Sequence, residues 1–170
     1  AVGDVVVHGD AVYWLSSRVS PNEYSIERTL RNSGISETLY TTQQTIVGLA
    51  ADTENLYWRE GSIPVGPNGV IMKIPFSGGE PSIVADGLGS DGSSVGLFSV
   101  HAGYAILSET GVYPAYRLVA VPLDGGATRV LAAIPARARS IVGVGEDVYW
   151  VDENALRSVP LAGGEVTTLL

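Results

Sequence analysis

Apolar residues in this chain fall in short runs, and the same order of runs returns four times. Short apolar segments at residues 5–7, 46–50, 97–100 and 141–144 each precede a segment carrying aromatics. Those second segments are Val12-Tyr13-Trp14, Leu56-Tyr57-Trp58, Tyr104-Ala105-Ile106 and Val148-Tyr149-Trp150. A third segment runs into a glycine-marked turn, and the copies align on it: IERTLRNSG at 26–34, IMKIPFSGG at 71–79, LVAVPLDGG at 118–126 and LRSVPLAGG at 156–164. A closing segment follows, as at 82–85 and 128–132. No apolar stripe at helical spacing is sustained, and Gly or Pro intervenes every few residues, so the pattern predicts strands throughout. Each copy is four strands, A to D.

Segments such as Ile141-Val142-Gly143-Val144 do not alternate between polar and apolar. A sheet covered on both faces needs no polar face. Sheets packed face to face around an axis meet that condition, and repetition at this period predicts a β-propeller. The expected fold is all-β: one domain over 1–170, made of four-stranded antiparallel blades at about 1–44, 45–91, 92–138 and 139–170. Gly78-Gly79 and Gly125-Gly126 suit primed hairpin turns, which need positive φ. Pro75, Pro122 and Pro160 mark strand ends or bulges, because Pro cannot donate a ladder bond. The recurrence of Tyr-Trp argues for packing between blades, with Trp14, Trp58 and Trp150 buried, rather than a platform for sugars or bases.

Four whole blades can close alone, be completed by a second copy, or belong to a longer propeller. An open arc would expose apolar flanks and invite association. The residues expected on those flanks are Val5, Val7, Val12 and Trp14 at one end and Ile141, Val148, Trp150 and Leu156 at the other. A homo-oligomer that completes the ring is the expectation.

The 170 residues are 45% hydrophobic and 16% charged, with a net charge of −8. That composition is globular, and it has no basic stripe to displace counterions from a nucleic acid. An anionic membrane surface would repel it, and no run reaches the length of a membrane span. The absence of Cys excludes disulfides and thiol catalysis. A start at Ala1, with no Met and no signal peptide, reads as a processed or trimmed end.

In a propeller the B–C and D–A connections emerge at one end of the channel, where ligands usually bind. The B–C connections are expected to be long at 16–25, 59–70 and 108–117 and short at 152–155. The candidate partner-binding residues there are Arg18, Tyr24, Arg59, Glu60, Tyr113, Tyr116 and Arg117, with Arg137 added by a D–A connection. Tyr and Arg are favoured at binding hot spots. No catalytic residue, cofactor or metal is expected. His8 and His101 share a column at the A–B turns, but Asp52 and Val144 fill its other places and no zinc-type spacing exists. Residues 86–94, DGLGSDGSS, faintly resemble a calcium loop. They lack dense alternating oxygen ligands and a terminal Glu, so a long D–A connection is expected. No nucleophile elbow, Walker loop or dinucleotide fingerprint occurs.

The copies resemble the YWTD (low-density-lipoprotein-receptor class B) repeat and its bacterial relatives, the TolB-like propellers. The likeness rests on Tyr149-Trp150-Val151-Asp152 with residues 156–164, and less fully on Tyr57-Trp58-Arg59-Glu60 and Tyr13-Trp14-Leu15-Ser16. The motif Asp is kept as Asp152, with Glu60 as an acidic substitute and Ser16 and Ser108 in the other copies. Copy three has no Trp, and such families usually have six blades. The resemblance implies the propeller fold and an exported protein, periplasmic or extracellular. Propellers are reused for many tasks. The leading functional expectation is a non-catalytic module presenting its loop face to a protein, peptide or glycan. The alternatives are a self-assembling partial propeller and a channel-centred lyase or hydrolase.

Overall fold

The computed structural model describes residues 2–18, 23–61, 69–89, 94–111 and 116–170. The first blade is β1 (Val2–His8), β2 (Ala11–Arg18), β3 (Glu23–Leu30) and β4 (Ser36–Thr42). The second is β5 (Ile46–Ala51), β6 (Asn55–Glu60), β7 (Gly69–Pro75) and β8 (Ser82–Leu88). The third is β9 (Ser94–His101), β10 (Tyr104–Thr110), β11 (Tyr116–Pro122) and β12 (Arg129–Ile134). The fourth is β13 (Ser140–Val144), β14 (Asp147–Val151), β15 (Leu156–Pro160) and β16 (Thr167–Thr168). Each sheet pairs its strands antiparallel in chain order, and the described residues contain no helix. The chain is an all-β propeller of four-stranded blades.

The primed turns lie at the A–B hairpins rather than at the Gly-Gly pairs. His8 pairs with Ala11, His101 with Tyr104 and Val144 with Asp147, leaving two-residue turns. Their first residues, Gly9, Ala102 and Gly145, have φ of 54°, 47° and 60°. At the C–D connections the strand-ending prolines supply the acceptor instead: Gly78 N donates to Pro75 O at 2.9 Å and Gly163 N to Pro160 O at 2.8 Å. The two central residues of each of those turns, Phe76-Ser77 and Leu161-Ala162, do not have positive φ. The glycines with positive φ follow the turn.

Three apolar seams join consecutive blades. Tyr13, Leu15 and Ile26 meet Leu49, Leu56 and Trp58 between blades one and two. Tyr57, Ile71 and Leu88 meet Leu107, Val119 and Val121 between blades two and three. Ile106, Leu118 and Leu131 meet Val148, Trp150 and Val159 between blades three and four. Innermost strands pack in the order β1, β5, β9, β13, and among the described residues no comparable packing joins β13 back to β1.

Within this frame the Trp column always faces the preceding blade. Trp58 and Trp150 are 0% and 1% exposed, each against the blade before it. Trp14 sits in the same column of blade one, where the chain supplies no preceding blade. It is half-buried, contrary to the expectation, and donates from Nε1 to Thr29 Oγ1 at 3.1 Å. Copy three also needs a one-residue correction. Trp58 pairs with Met72 and Trp150 with Arg157, and the matching pair in blade three is Leu107 with Val119. Leu107, not Ile106, therefore occupies the Trp column, since a one-residue slip reverses the face. The acid two residues on is then Glu109, not Ser108.

The histidine column packs blades together. The His8 ring stacks on Phe76 at 3.8 Å between centroids, and His101 Nε2 bonds with Gly145 O at 2.9 Å. The His101 ring occupies the space that a Cβ at Gly143 would need. Gly143→Ala should therefore destabilise the protein by about 1–3 kcal/mol through overpacking. A urea midpoint unchanged from wild type would contradict this close approach.

Candidate functional site

The charged candidates gather where strand B of each blade ends and strand C begins. They lie on strands, not in loops. Arg18 and Tyr24 belong to β2 and β3, Arg59 and Glu60 to β6, and Tyr116 and Arg117 to β11. Polar side chains at blade ends read as loop composition, yet the ladder continues through them. Tyr113 lies outside the described residues. Residues 86–88 of the calcium-like stretch belong to β8, where Leu88 is buried, and residues 90–93 are likewise outside the described set.

Three blades close this end with a cation–carboxylate pair. In blade four Asp152 accepts from Arg157 Nε at 2.9 Å and from the amides of Asn154 and Ala155 at 2.9 and 3.0 Å. In blade three Glu109, itself buried, accepts from Arg117 Nε at 2.7 Å. In blade one Arg18 and Glu23 approach at 3.4 Å in the open, where such a pair is worth about 0–1 kcal/mol. Blade two differs. Its acid, Glu60, turns to the blade-one side and accepts from Trp58 Nε1 at 2.8 Å. Burial, then the Glu60 carboxylate, raises the neighbouring Tyr40 phenol. The facing strand, Gly69-Val70-Ile71-Met72, brings no charged partner. Arg59 is left 5% exposed, with Nε buried and unbonded, and burial lowers its guanidinium from the ordinary arginine value.

The motif acid thus has a structural role in blades two to four. The Asn154 amide, then the Arg157 guanidinium, hold the Asp152 carboxyl below the usual carboxylate range, and burial opposes them without prevailing. A carboxyl lowered on folding stabilises the fold above its unfolded pKa of about 3.9, and that contribution is lost as pH falls through the folded value. Asp152→Asn should cost about 2–4 kcal/mol at neutral pH, and the deficit should shrink below about pH 4. Melting temperature followed against pH for both proteins tests this. Parallel curves would show that Asp152 contributes nothing through its charge. A second Asp works similarly at the second A–B turn. Asp52 accepts from the Glu54 and Asn55 amides at 2.8 and 2.7 Å and from Tyr57 OH at 2.7 Å. Burial would raise its carboxyl, but these bonds together lower it, while burial and then Asp52 raise the Tyr57 phenol.

The remaining candidates do not converge with these groups into one patch. Tyr24 is half-buried at the first seam, its OH 3.5 Å from Thr45 Oγ1, and Tyr116 is half-buried against the third. Arg137 is exposed between β12 and β13. No group of three or more His, Cys, Asp or Glu suited to a metal occurs among the described residues.

Among the described residues two sheet faces have no partner, and the sequence pattern places only one of them correctly. On blade one Val5 and Val7 are 56% and 59% exposed, beside half-buried Val12 and Trp14. On blade four, Ile141, Val148 and Trp150 face blade three and pack into its seam, so they are not flank residues. The free face there is Val142, Val144 and Val151, each about half exposed, with Tyr149 and Leu156 half-buried.

No family model matches this chain, and neither does any curated protein. Solved structures do match, and they are propellers of differing activity. An oligogalacturonate lyase in complex with manganese superposes with a TM-score of 0.69 at 13% identity, over 93% of this chain and 49% of that one. TolB from Acinetobacter baumannii gives 0.65 at 9% identity, over 94% and 40%. The β-propeller domain of the Trilobed protease from Pyrococcus furiosus, described as having an open velcro topology, gives 0.62 at 6% identity, over 99% and 56%. The chain thus spans about half or less of the first two structures and little more than half of the third. At such identities the likeness establishes a TolB-like propeller fold and no activity.

Proposed function

We propose that this chain is a non-catalytic interaction module, and that its first binding partner is a second copy of itself that completes the ring. One observation carries the reading: the two free faces are the same repeat columns that are buried elsewhere. Tyr149 on blade four matches Tyr57, which blade three covers. Trp14 on blade one matches Trp58, which blade one covers. Blade four of one copy therefore offers blade one of the next the surface pair that already joins blades one and two, where Tyr13 meets Trp58. A head-to-tail pair of this kind closes under a twofold axis into eight blades. The outer strands of the blade-one face suit a wet rim. Thr29 and Ser36 bond at 2.9 Å, and Glu27 accepts from Ser25 and Thr38 at 2.7 and 2.9 Å.

The assembled loop end, with exposed Arg18 and Arg137, is the face we propose for a protein, peptide or glycan. We also read the repeat as YWTD-type, because Asp152 caps the turn that follows its strand. Light scattering over a concentration series tests the assembly. The expected mass is twice the 17.8 kDa of one chain. A monomer persisting at high concentration with Trp14 still solvent-quenched would sink the proposal.

A further inference from the structure

The repeat itself identifies one side chain that the fold does not require. Arg59 stands between Trp58 and Glu60 on the face of β6 that looks towards blade three. The same position is Leu15 in blade one, buried in the first seam, and Ser108 in blade three, where the hydroxyl accepts from Leu97 N at 3.0 Å. In blade four it is Val151. A residue demanded by blade packing recurs. This guanidinium does not recur, and it fills a place that an aliphatic or small side chain fills elsewhere.

A desolvated charge is tolerated when it is paired and hydrogen-bonded. Among the described residues Arg59 has neither kind of partner, and its Nε is buried and unbonded. Glu109, the acid at the end of strand β10 on the facing blade, already accepts from Arg117. Glu60, its chain neighbour, lies on the opposite face with Trp58. Opposite Arg59 the chain has Gly69, where a Cβ would lie 3.3 Å from Arg59 Nη1 and 3.3 Å from Leu88 O. Any side chain in place of this glycine would crowd the guanidinium end.

We propose that Arg59 binds a carboxylate at the loop end of the seam between the second and third blades. The planar fork of a guanidinium matches a carboxylate with two parallel N–H···O bonds. A single negative charge matches the one guanidinium in a chain of net charge −8, whereas a phosphate dianion would bring excess charge. The seam lies inside one chain, so this site stands or falls separately from the ring.

The probe is sodium acetate, with sodium chloride and sodium phosphate at matched ionic strength, on wild type and Arg59→Met. Acetate at ten times its Kd should raise the wild-type melting temperature by about 3–6 °C relative to chloride. Arg59→Met should show no acetate response and should melt no lower than wild type in chloride. An equal acetate response in both proteins would overturn the site, as would a response to phosphate alone. So would an Arg59→Met protein that melts well below wild type while acetate has no effect, since Arg59 would then be structural. If that variant does not fold, acetate titration of the 15N-labelled wild type decides. Movement of the Arg59 side-chain resonance, absent with chloride, supports the site, and a fixed resonance refutes it. N-acetylglycine separates the sources: a larger shift than acetate assigns a peptide terminus, and an equal one a free small carboxylate.

Discussion

Replacing Trp58 or Trp150 with alanine should cost about 3–5 kcal/mol, while Trp14→Ala should cost about 1 kcal/mol or less in dilute solution. The three residues occupy one column, so repeat position alone would rank them equally. Their surroundings differ. Trp58 is enclosed by blade one, with Tyr40 tilted against it at 5.1 Å, and its indole N–H is satisfied by Glu60. Truncation there leaves a cavity lined by two blades and a buried carboxylate without its donor. Trp150 fills the third seam and has no partner for Nε1, so its loss is one of packing alone. Trp14 bonds to Thr29 of its own blade, and among the described residues no preceding blade covers it. Urea unfolding at concentrations below association, read by circular dichroism, gives the ranking. A Trp14→Ala loss as large as that of Trp58→Ala would show the blade-one face covered even in the monomer.

The repeat made the architecture legible because blade packing imposes the same columns on most copies: turn, proline, tyrosine, tryptophan. What it left illegible follows from the two faces of a strand. Alternation says which residues share a face, not which neighbour the face meets, so Val148 and Trp150 could not be separated from Tyr149 and Val151 as flank residues. The slip in copy three has the same origin. Without a Trp to anchor the segment, Ile106 and Leu107 are equally apolar, although the spacing from His101 matches that from His8 to Trp14 and selects Leu107. The loop-end residues were misplaced for another reason. Arg18, Arg59 and Arg117 carry loop-like composition, but each sits in a strand whose backbone ladder continues through it, and Arg117 meets its acid across strands. Arg59 has no ionic partner among the described residues because Glu60 turns to the opposite face of its strand.

A charge placed on either free face should weaken self-association at least 100-fold, or about 3 kcal/mol, and opposite charges on both faces should largely restore it. The positions follow from the existing seams. The His101 ring lies against Gly143, joining β9 to β13. Advancing one blade, Val144 occupies the His101 column and Val7 occupies the column before His8. The same step therefore brings Val144 of one copy against Val7 of its partner. Both are more than half exposed in the single chain, at 58% and 59%, so Val7→Glu and Val144→Lys should fold normally as monomers. In the single variants each seam of the ring encloses an uncompensated charge. In the double variant each seam holds a Glu–Lys pair, and an association constant within about tenfold of wild type is expected. Sedimentation equilibrium reads all four proteins. If Val7→Glu dissociates the assembly while Val144→Lys leaves it intact, blade one meets blade one and the head-to-tail ring is wrong. If neither variant changes the mass, the copies join elsewhere.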